Sequence, residues 1–274
     1  MRCVHCIGGP ILSFVMAVAS AATAATVENL YQAQTILTGQ GEEGRPKGFA
    51  ECLRDVLVKV SGDPRLLNDV RVTMLEPQAD TLIRDFRYRD RMEGLPVHDE
   101  QGTRDRPYDL TCDFHPERID AVLRSFDRQP WPADRPRVAV FLAVRNIAAS
   151  YVFADDTRRD NGQRDSLLRA SYRAGIPVSI PKQAELQAAG LDLETLSRSL
   201  PSSLSAATKA LGADIPLVGN MRFSDEVHGW IAEWRLSAKG RTYRWQVRGV
   251  NFDEAFRSAM RGAAQILSGN GHPD

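Results

Sequence analysis

The run Val138–Val144 constrains the fold more than any other segment of this chain. Its residues, VAVFLAV, are all apolar, and a Pro-rich stretch precedes them. An uninterrupted apolar run of this length predicts a strand covered on both faces, because a strand with one wet face alternates polar and apolar residues. The chain is therefore expected to build a sheet here with helices on its two sides.

The segments after that strand have the periodicity of further strands and helices. Alternating apolar residues predict strands over 215–223, 229–237 and 242–250, and helical spacing predicts a final helix over 256–267. Shorter helices near 167–174, 191–200 and 204–211 and a strand over 176–180 complete the order β-α-β-α-α-β-β-β-α. This order predicts a mixed sheet with helices packed on it, and the whole chain is expected to be α+β.

The first half of the chain has the pattern of a smaller α+β unit. A strand is predicted over 27–37, followed by a helix over 49–60 whose apolar residues recur every three or four positions. A second helix is predicted from Pro77 to Phe86. The polar segment 89–107 is typical of a hairpin excursion or a mobile loop, and residues 110–114 then alternate as in a half-buried strand.

A proline cluster separates the two halves. Pro130, Pro132 and Pro136 surround Trp131 in a segment without periodicity. We therefore predict an N-terminal α+β domain over residues 25–127, a Pro-rich linker over 128–136 and a C-terminal mixed-sheet domain over 137–274.

Residues 1–24 have the pattern of a cleavable signal peptide. Arg2 supplies a positive charge, Ile7–Ala22 contains no charged residue, and Ala22-Thr23-Ala24 offers small residues to signal peptidase, so cleavage is expected near Ala25. A retained membrane anchor is disfavoured because the core is short and rich in Gly, Pro and Ala. No later segment is long and apolar enough to cross a bilayer. We therefore predict an exported protein of the periplasm, without a membrane span after cleavage.

Export gives Cys52 and Cys112 two alternative states. An oxidising compartment lets them pair, and such a bridge would close a loop of about 60 residues, worth ~4 kcal/mol in the chain-entropy model. Two separate buried thiols are the alternative, since free cysteine is among the most buried residue types. The sequence leaves both states open.

Charge and motifs exclude several function classes. Thirty-five basic residues balance thirty-five acidic ones, so the basic excess of a nucleic-acid-binding protein is missing. His98, His115 and His228 are isolated from one another, and arginines interleave with the aspartates of 155–165 out of register with a cation-binding loop. We predict no catalytic motif, no metal site and no cofactor. One alternative stays open, a hydrolase that assembles Asp155 or Asp156 with His98 or His115 from separate loops.

Aromatic residues cluster on two neighbouring predicted strands. Trp230 and Trp234 share one strand face, and Tyr243 and Trp245 share a face of the next strand. The favoured interpretation is core beneath the final helix, which has a matching apolar stripe. The alternative is a small-ligand carrier with a pocket beside Trp234.

Three segments carry a family resemblance. The helix end at Val56–Asp63, the strand Tyr108–Phe114, and Trp131 leading into Arg135-Pro136 resemble the domain-of-unknown-function family numbered two-zero-six-six, a group of exported proteobacterial proteins. The resemblance implies an envelope location and no assigned activity or catalytic residue. Our leading hypothesis is an exported, non-catalytic module that binds or helps to assemble another envelope protein; the sequence does not assign its oligomeric state.

Overall fold

The structure is a computed structural model that describes residues 25–94, 106–158, 161–198 and 203–273. It confirms the predicted α+β class, with one three-stranded sheet in the first half and one six-stranded mixed sheet in the second. The predicted signal peptide lies outside the described residues. Within those residues, no helix is both long and apolar enough to span a membrane.

The first half of the chain builds an antiparallel sheet that packs on one long helix. The strands of this half are β1 (Ala25–Thr26), β2 (Gln32–Thr38), β3 (Ile83–Asp90) and β4 (Pro107–Phe114). Its helices are α1 (Arg45–Ser61), α2 (Val70–Leu75) and α3 (Pro116–Ser125), with 3₁₀ turns over Pro64–Asn68 and Glu76–Leu82. The sheet order is β2-β4-β3. Helix α1 lies close to this sheet because Gly48 has no Cβ, which would stand 2.6 Å from side-chain atoms of Leu37 and Leu110.

Two predictions in the first half are wrong. The helix predicted from Pro77 to Phe86 is a 3₁₀ turn followed by strand β3, because Phe86 and Tyr88 alternate with Arg87 and Arg89 and this period of two prevails over helical spacing. The first long strand begins at Gln32 and not at residue 27, since residues 28–31 form a turn. The predicted hairpin excursion is present in part, as β3 and β4 pair antiparallel.

The second half of the chain builds the predicted mixed sheet. Its strands are β5 (Asp134–Arg135), β6 (Val138–Arg145), β7 (Ser150–Val152), β8 (Val178–Ser179), β9 (Ile215–Ser224), β10 (Gly229–Ala238) and β11 (Arg241–Val250). The sheet order is β11-β10-β9-β6-β7, with β8 also on β6, and the pairs β6–β9 and β6–β8 are parallel. Short β5 stands apart from this sheet and pairs with β1.

Helices cover both faces of the central strand β6, as its apolar run predicts. They are α4 (Asn161–Ala174), α5 (Gln183–Ala188), α6 (Leu193–Arg198), α7 (Leu204–Ala210) and α8 (Phe252–Ser268). All residues of Val138–Val144 are buried; Val140 and Leu142 face the core under α4 and α8, whereas Phe141 faces the core under the shorter helices. The strand predicted over 176–180 shrinks to Val178–Ser179, and α5 was not predicted.

The two halves meet along helices α1 and α4. The short pair β1–β5 ties the start of the described chain to the Pro-rich segment, and Arg173 of α4 lies 3.6 Å from Asp55 of α1. The division into domains at 25–127 and 137–274 stays a prediction.

An arginine-lined cleft between the first sheet and helix α4

A cleft of about 660 Å³ opens between the outer face of the first sheet and helix α4. Five arginines line it, namely Arg87, Arg89, Arg91, Arg169 and Arg173, together with Asp109 and Asp165. The alternation of β3 directs Arg87 and Arg89 away from the core. On α4 the lining residues 165, 168, 169, 172 and 173 share one helix face, because positions three and four apart are neighbours on a helix.

The arginines on the sheet side outnumber their acidic partners. Arg89 lies 2.6 Å from Asp109, and Arg91 lies 3.6 Å from the same carboxylate. Arg87 pairs with Asp113 at 2.8 Å. Since Asp109 is shared between two guanidinium groups, this wall keeps an excess of positive charge. Arg89 is well exposed, with 73% of its side chain accessible, so its remaining donors face the solvent of the cleft.

Two apolar side chains are exposed inside the same cleft. Ile36 of β2 is 47% exposed and Leu168 of α4 is 45% exposed. Their exposure places a small apolar surface beside the guanidinium groups. The cleft therefore offers contacts to an anionic group and to an adjacent apolar group.

Two buried cations lie behind the cleft wall. The Tyr172 hydroxyl donates to the Gln32 side chain at 2.7 Å, and the Tyr172 ring covers the Lys59 ammonium at 3.9 Å. The Lys59 Nζ donates to the carbonyl oxygens of Asn29 and Gln32 at 2.7 and 3.1 Å. Beside Lys59, the buried Arg135 guanidinium donates only to carbonyl oxygens of the described chain. Of these two groups, Lys59 is the one in contact with a cleft-lining side chain, Tyr172.

Burial changes the titration of Lys59. Desolvation, reinforced by the neighbouring Arg135 charge, lowers the pKa of Lys59 from 10.5 to about 7. The unfolded chain keeps the proton up to its ordinary pKa, whereas the folded chain releases it above about pH 7, so the unfolded state binds more protons in between. Below about pH 7 Lys59 is protonated in both states, and the folded chain then bears the full cost of burying the Lys59 ammonium.

We therefore expect the contribution of Lys59 to the free energy of unfolding to rise with pH from about 7 towards its ordinary pKa of 10.5, by up to ~1.4 kcal/mol per pH unit. In Lys59→Met this rise should disappear, whereas Lys47→Met, an exposed change on the same helix, should keep it. Urea unfolding at several pH values measures both slopes. An unchanged slope in Lys59→Met would show that another group causes the dependence.

The aromatic residues singled out in the sequence lie away from the cleft. Trp234 and Trp245 are buried. The Trp234 ring packs against Phe256, and the Trp245 Nε1 donates to the Ser258 carbonyl at 3.2 Å. Trp230 and Tyr243 are half-buried at the rim of the same core. Because Trp234 is fully buried, its side chain cannot line an open pocket for a carried ligand.

The residues of the alternative hydrolase site have other partners. His115 precedes α3 and lies 3.3 Å from Glu117, Asp156 accepts the backbone N–H of Gln183 at 2.9 Å, and Asp155 lies beside Arg164. His98 lies outside the described residues. Across the described ranges, no three His, Cys, Asp or Glu side chains form a group suited to a metal ion.

The two cysteines come together in the core. Cys52 on α1 and Cys112 on β4 are both fully buried free thiols, and their side chains are in hydrogen-bonding contact. Burial, and next the contact with Cys112, raises the pKa of the Cys52 thiol. The sequence leaves pairing and two separate thiols open, and the structure has two free thiols whose contact makes pairing sterically accessible.

Sequence reasoning missed the cleft. A signal was present, since Arg87, Arg89 and Arg91 occupy alternate positions and residues 165, 169 and 173 recur every four. The helix predicted through Phe86 hid the alternation on β3. Nothing local in the sequence indicates that these two segments face each other.

Comparison with known protein families gives a match over the first half of this α+β chain. A family model for a domain of unknown function, DUF8605, matches residues 24–132. The resemblance to family two-zero-six-six is therefore wrong. The residues that suggested it form a helix end, a strand and a proline turn, and such features occur in unrelated families. The matched segment holds the first sheet and α1 to α3. No curated protein and no solved structure matches the chain.

Proposed function

We propose that this protein is an exported, non-catalytic binding module whose cleft receives an acidic segment of another envelope protein. The observation that carries the proposal is the concentration of five arginines around one cleft of about 660 Å³. Arginine presents a planar fork of donors that matches a carboxylate in a bidentate geometry. Rows of arginines on two facing walls suit a chain that carries more than one carboxylate.

The remaining cleft residues support a peptide segment as the ligand. Ile36 and Leu168 offer apolar contact next to the arginines, as a mixed acidic and apolar sequence requires. The volume lies within the range of about 300–1,000 Å³ found for ligand sites. Gln34 and Thr111, hydrogen-bonded to each other at 3.1 Å, line the cleft with neutral polar groups.

Recognition fits this chemistry better than bond cleavage. Guanidinium groups stay protonated at physiological pH, so they bind anions and do not exchange protons with a substrate. Export of the module is supported by the signal-like pattern of residues 1–24, with its uncharged core and the small residues before Ala25. An acidic segment of a second envelope protein would then meet the cleft in the periplasm.

Charge reversal in the cleft tests the proposal. A photo-crosslinking residue at position 168 should capture a reproducible partner in intact cells. The double change Arg87→Glu and Arg169→Glu should lower that yield at least tenfold, since each charge-assisted hydrogen bond contributes about 1.5–3 kcal/mol. Quantitative mass spectrometry of the crosslinked product measures the yield.

Two controls make the result specific. Arg84→Glu with Arg124→Glu changes the net charge equally at exposed positions outside the cleft and should leave the yield unchanged. A crosslinker at Ile147, which is 81% exposed on the loop between β6 and β7 and does not line the cleft, should not capture the same partner. Equal yields from the cleft variant and the parent would refute a role of the arginines.

A further inference from the structure

A second group of arginines lies on the six-stranded sheet, on the face opposite α8. Trp234 and Trp245 face α8 from β10 and β11, so the residues between them point to the other side. These outward positions, with neighbouring β9 and β6, hold the group that we name the arginine face, consisting of Arg145, Arg222, Arg235, Arg244 and Arg248. On strands β9 to β11, Glu233 is the acidic residue of this face, and Gln246 donates to it at 3.1 Å.

The register places like charges directly opposite each other. Arg235 pairs with Arg244 across β10 and β11, and Arg145 pairs with Arg222 across β6 and β9. Like charges opposite each other on one sheet face are destabilising. Arg145 is partly relieved by a hydrogen bond to Asn220 at 2.9 Å, and Arg235 donates to the Leu196 carbonyl.

Three of these arginines have no acidic partner in the described part of the chain. Arg222, Arg244 and Arg248 are exposed, and none forms an ion pair with a described carboxylate. Arg244 and Arg248 are four positions apart on one strand, or about 13 Å, and Arg222 is two strands from Arg248, or about 10 Å. Helix α6 covers the β6 end of the arginine face, where Arg145 donates to the Ser197 hydroxyl at 2.7 Å. The three exposed charges therefore lie beside α6, spread along β9 and β11, and do not converge on one point.

From this arrangement we infer that the arginine face docks the protein on a bilayer surface that contains anionic lipid headgroups. A bilayer with anionic lipid presents many phosphate groups and a negative surface potential, and each guanidinium can bind two phosphate oxygens. Anions between Arg235 and Arg244 would remove the repulsion that the bare register creates. The inference is independent of the cleft and of its acidic partner.

The composition of the face disfavours the other occupants. Ile231, the large apolar residue between Arg222 and Arg248, is buried, so the face lacks the exposed apolar centre of a protein interface. The aromatic residues of β10 and β11 point to the α8 side, so no aromatic platform stacks the bases of a single strand. Electrostatic contact through the exposed Arg222, Arg244 and Arg248 remains.

Vesicle co-sedimentation tests the inference. The protein is expected to bind vesicles of phosphatidylcholine mixed with phosphatidylglycerol and not pure phosphatidylcholine. Arg244→Gln with Arg248→Gln should lower the partition coefficient about 25-fold, or about fivefold for each arginine. Raising the salt from about 0.01 to 1 M should abolish binding, as the Debye length falls from ~30 to ~3 Å.

The controls separate docking from general charge and from misfolding. Arg84→Gln with Arg124→Gln removes the same charge elsewhere and should bind as the parent does. Arg244→Gln alone should bind less tightly yet melt at a higher temperature, because it removes the repulsion with Arg235. The cleft variant Arg87→Glu with Arg169→Glu should still bind vesicles.

Three results would overturn the inference. They are unchanged binding in Arg244→Gln with Arg248→Gln, an equal loss in Arg84→Gln with Arg124→Gln, and binding of a poly-glutamate peptide to the face without binding to anionic vesicles. The last result would indicate an acidic protein as the occupant.

Discussion

Replacing Arg135 with alanine is expected to lower the free energy of unfolding by about 3–5 kcal/mol, because it leaves buried carbonyl groups without donors. Arg135 is fully buried and donates to the carbonyl oxygens of Lys59 at 2.8 Å, Gly175 at 2.9 Å and Pro132 at 3.0 Å. Its guanidinium also lies 4.0 Å from the centre of the Trp131 ring. One side chain thus joins the ends of two helices to the Pro-rich segment.

The ends that Arg135 joins explain its importance. Lys59 lies in the last turn of α1, and Ala174 and Gly175 lie at the end of α4. The last carbonyl groups of a helix have no partner within it and carry partial negative charge. A guanidinium placed between two such ends satisfies both, which a neutral side chain of similar size does not do.

Arg135→Lys distinguishes geometry from charge. Lysine keeps the positive charge but has no planar fork, so most of the loss should remain. Arg124→Ala, an exposed change on α3, should have little effect. Urea midpoints at constant m-value measure all three variants. Stability within about 1 kcal/mol of the parent in Arg135→Ala would contradict the role that the hydrogen bonds imply.

If the chain is exported and Cys52 then pairs with Cys112, reduction is expected to destabilise the purified protein by about 4 kcal/mol, because the bridge closes a loop of about 60 residues. The two thiols are already in contact between α1 and β4. Both are fully buried, so exchange with an oxidising disulfide must occur before the core closes. The bridge would then restrict the unfolded chain.

Peptide mapping without reductant provides the direct measurement. It should recover a linked peptide containing Cys52 and Cys112 and a chain that begins near Ala25. Cys52→Ala should show no sensitivity to reductant. Alkylation of both thiols in the denatured, unreduced protein would contradict the bridge, and recovery of the chain from the cytosol with residues 1–24 attached would contradict export.

The sequence and the structure agree best for helices and strands whose own side-chain periodicity shows which face is buried. The helix predicted over 49–60 lies within Arg45–Ser61. The three strands predicted between residues 215 and 250 each differ from the observed strand by one residue at one end. The prediction failed over 77–86, where spacing fits both a helix and a strand and the pairing of β3 with β4 decides the outcome.

Side-chain patterns within single helices or strands do not predict the candidate sites. The cleft depends on contacts such as that from Tyr172 to Gln32, which are 140 positions apart, and the arginine face depends on the register of four strands. A register shift of one residue would move these arginines to the opposite side of the sheet.

The sequence by itself determined the α+β class, the strand covered on both faces and the core position of Trp234 and Trp245. When one face of a helix or strand is buried, apolar residues recur along that element at its own period, so this pattern can be read without the rest of the fold. The tertiary structure decided which elements meet, and with them the cleft, the contact of Cys52 with Cys112 and the opposed arginines. Those features arise from long-range packing and strand register, which side-chain periodicity does not encode.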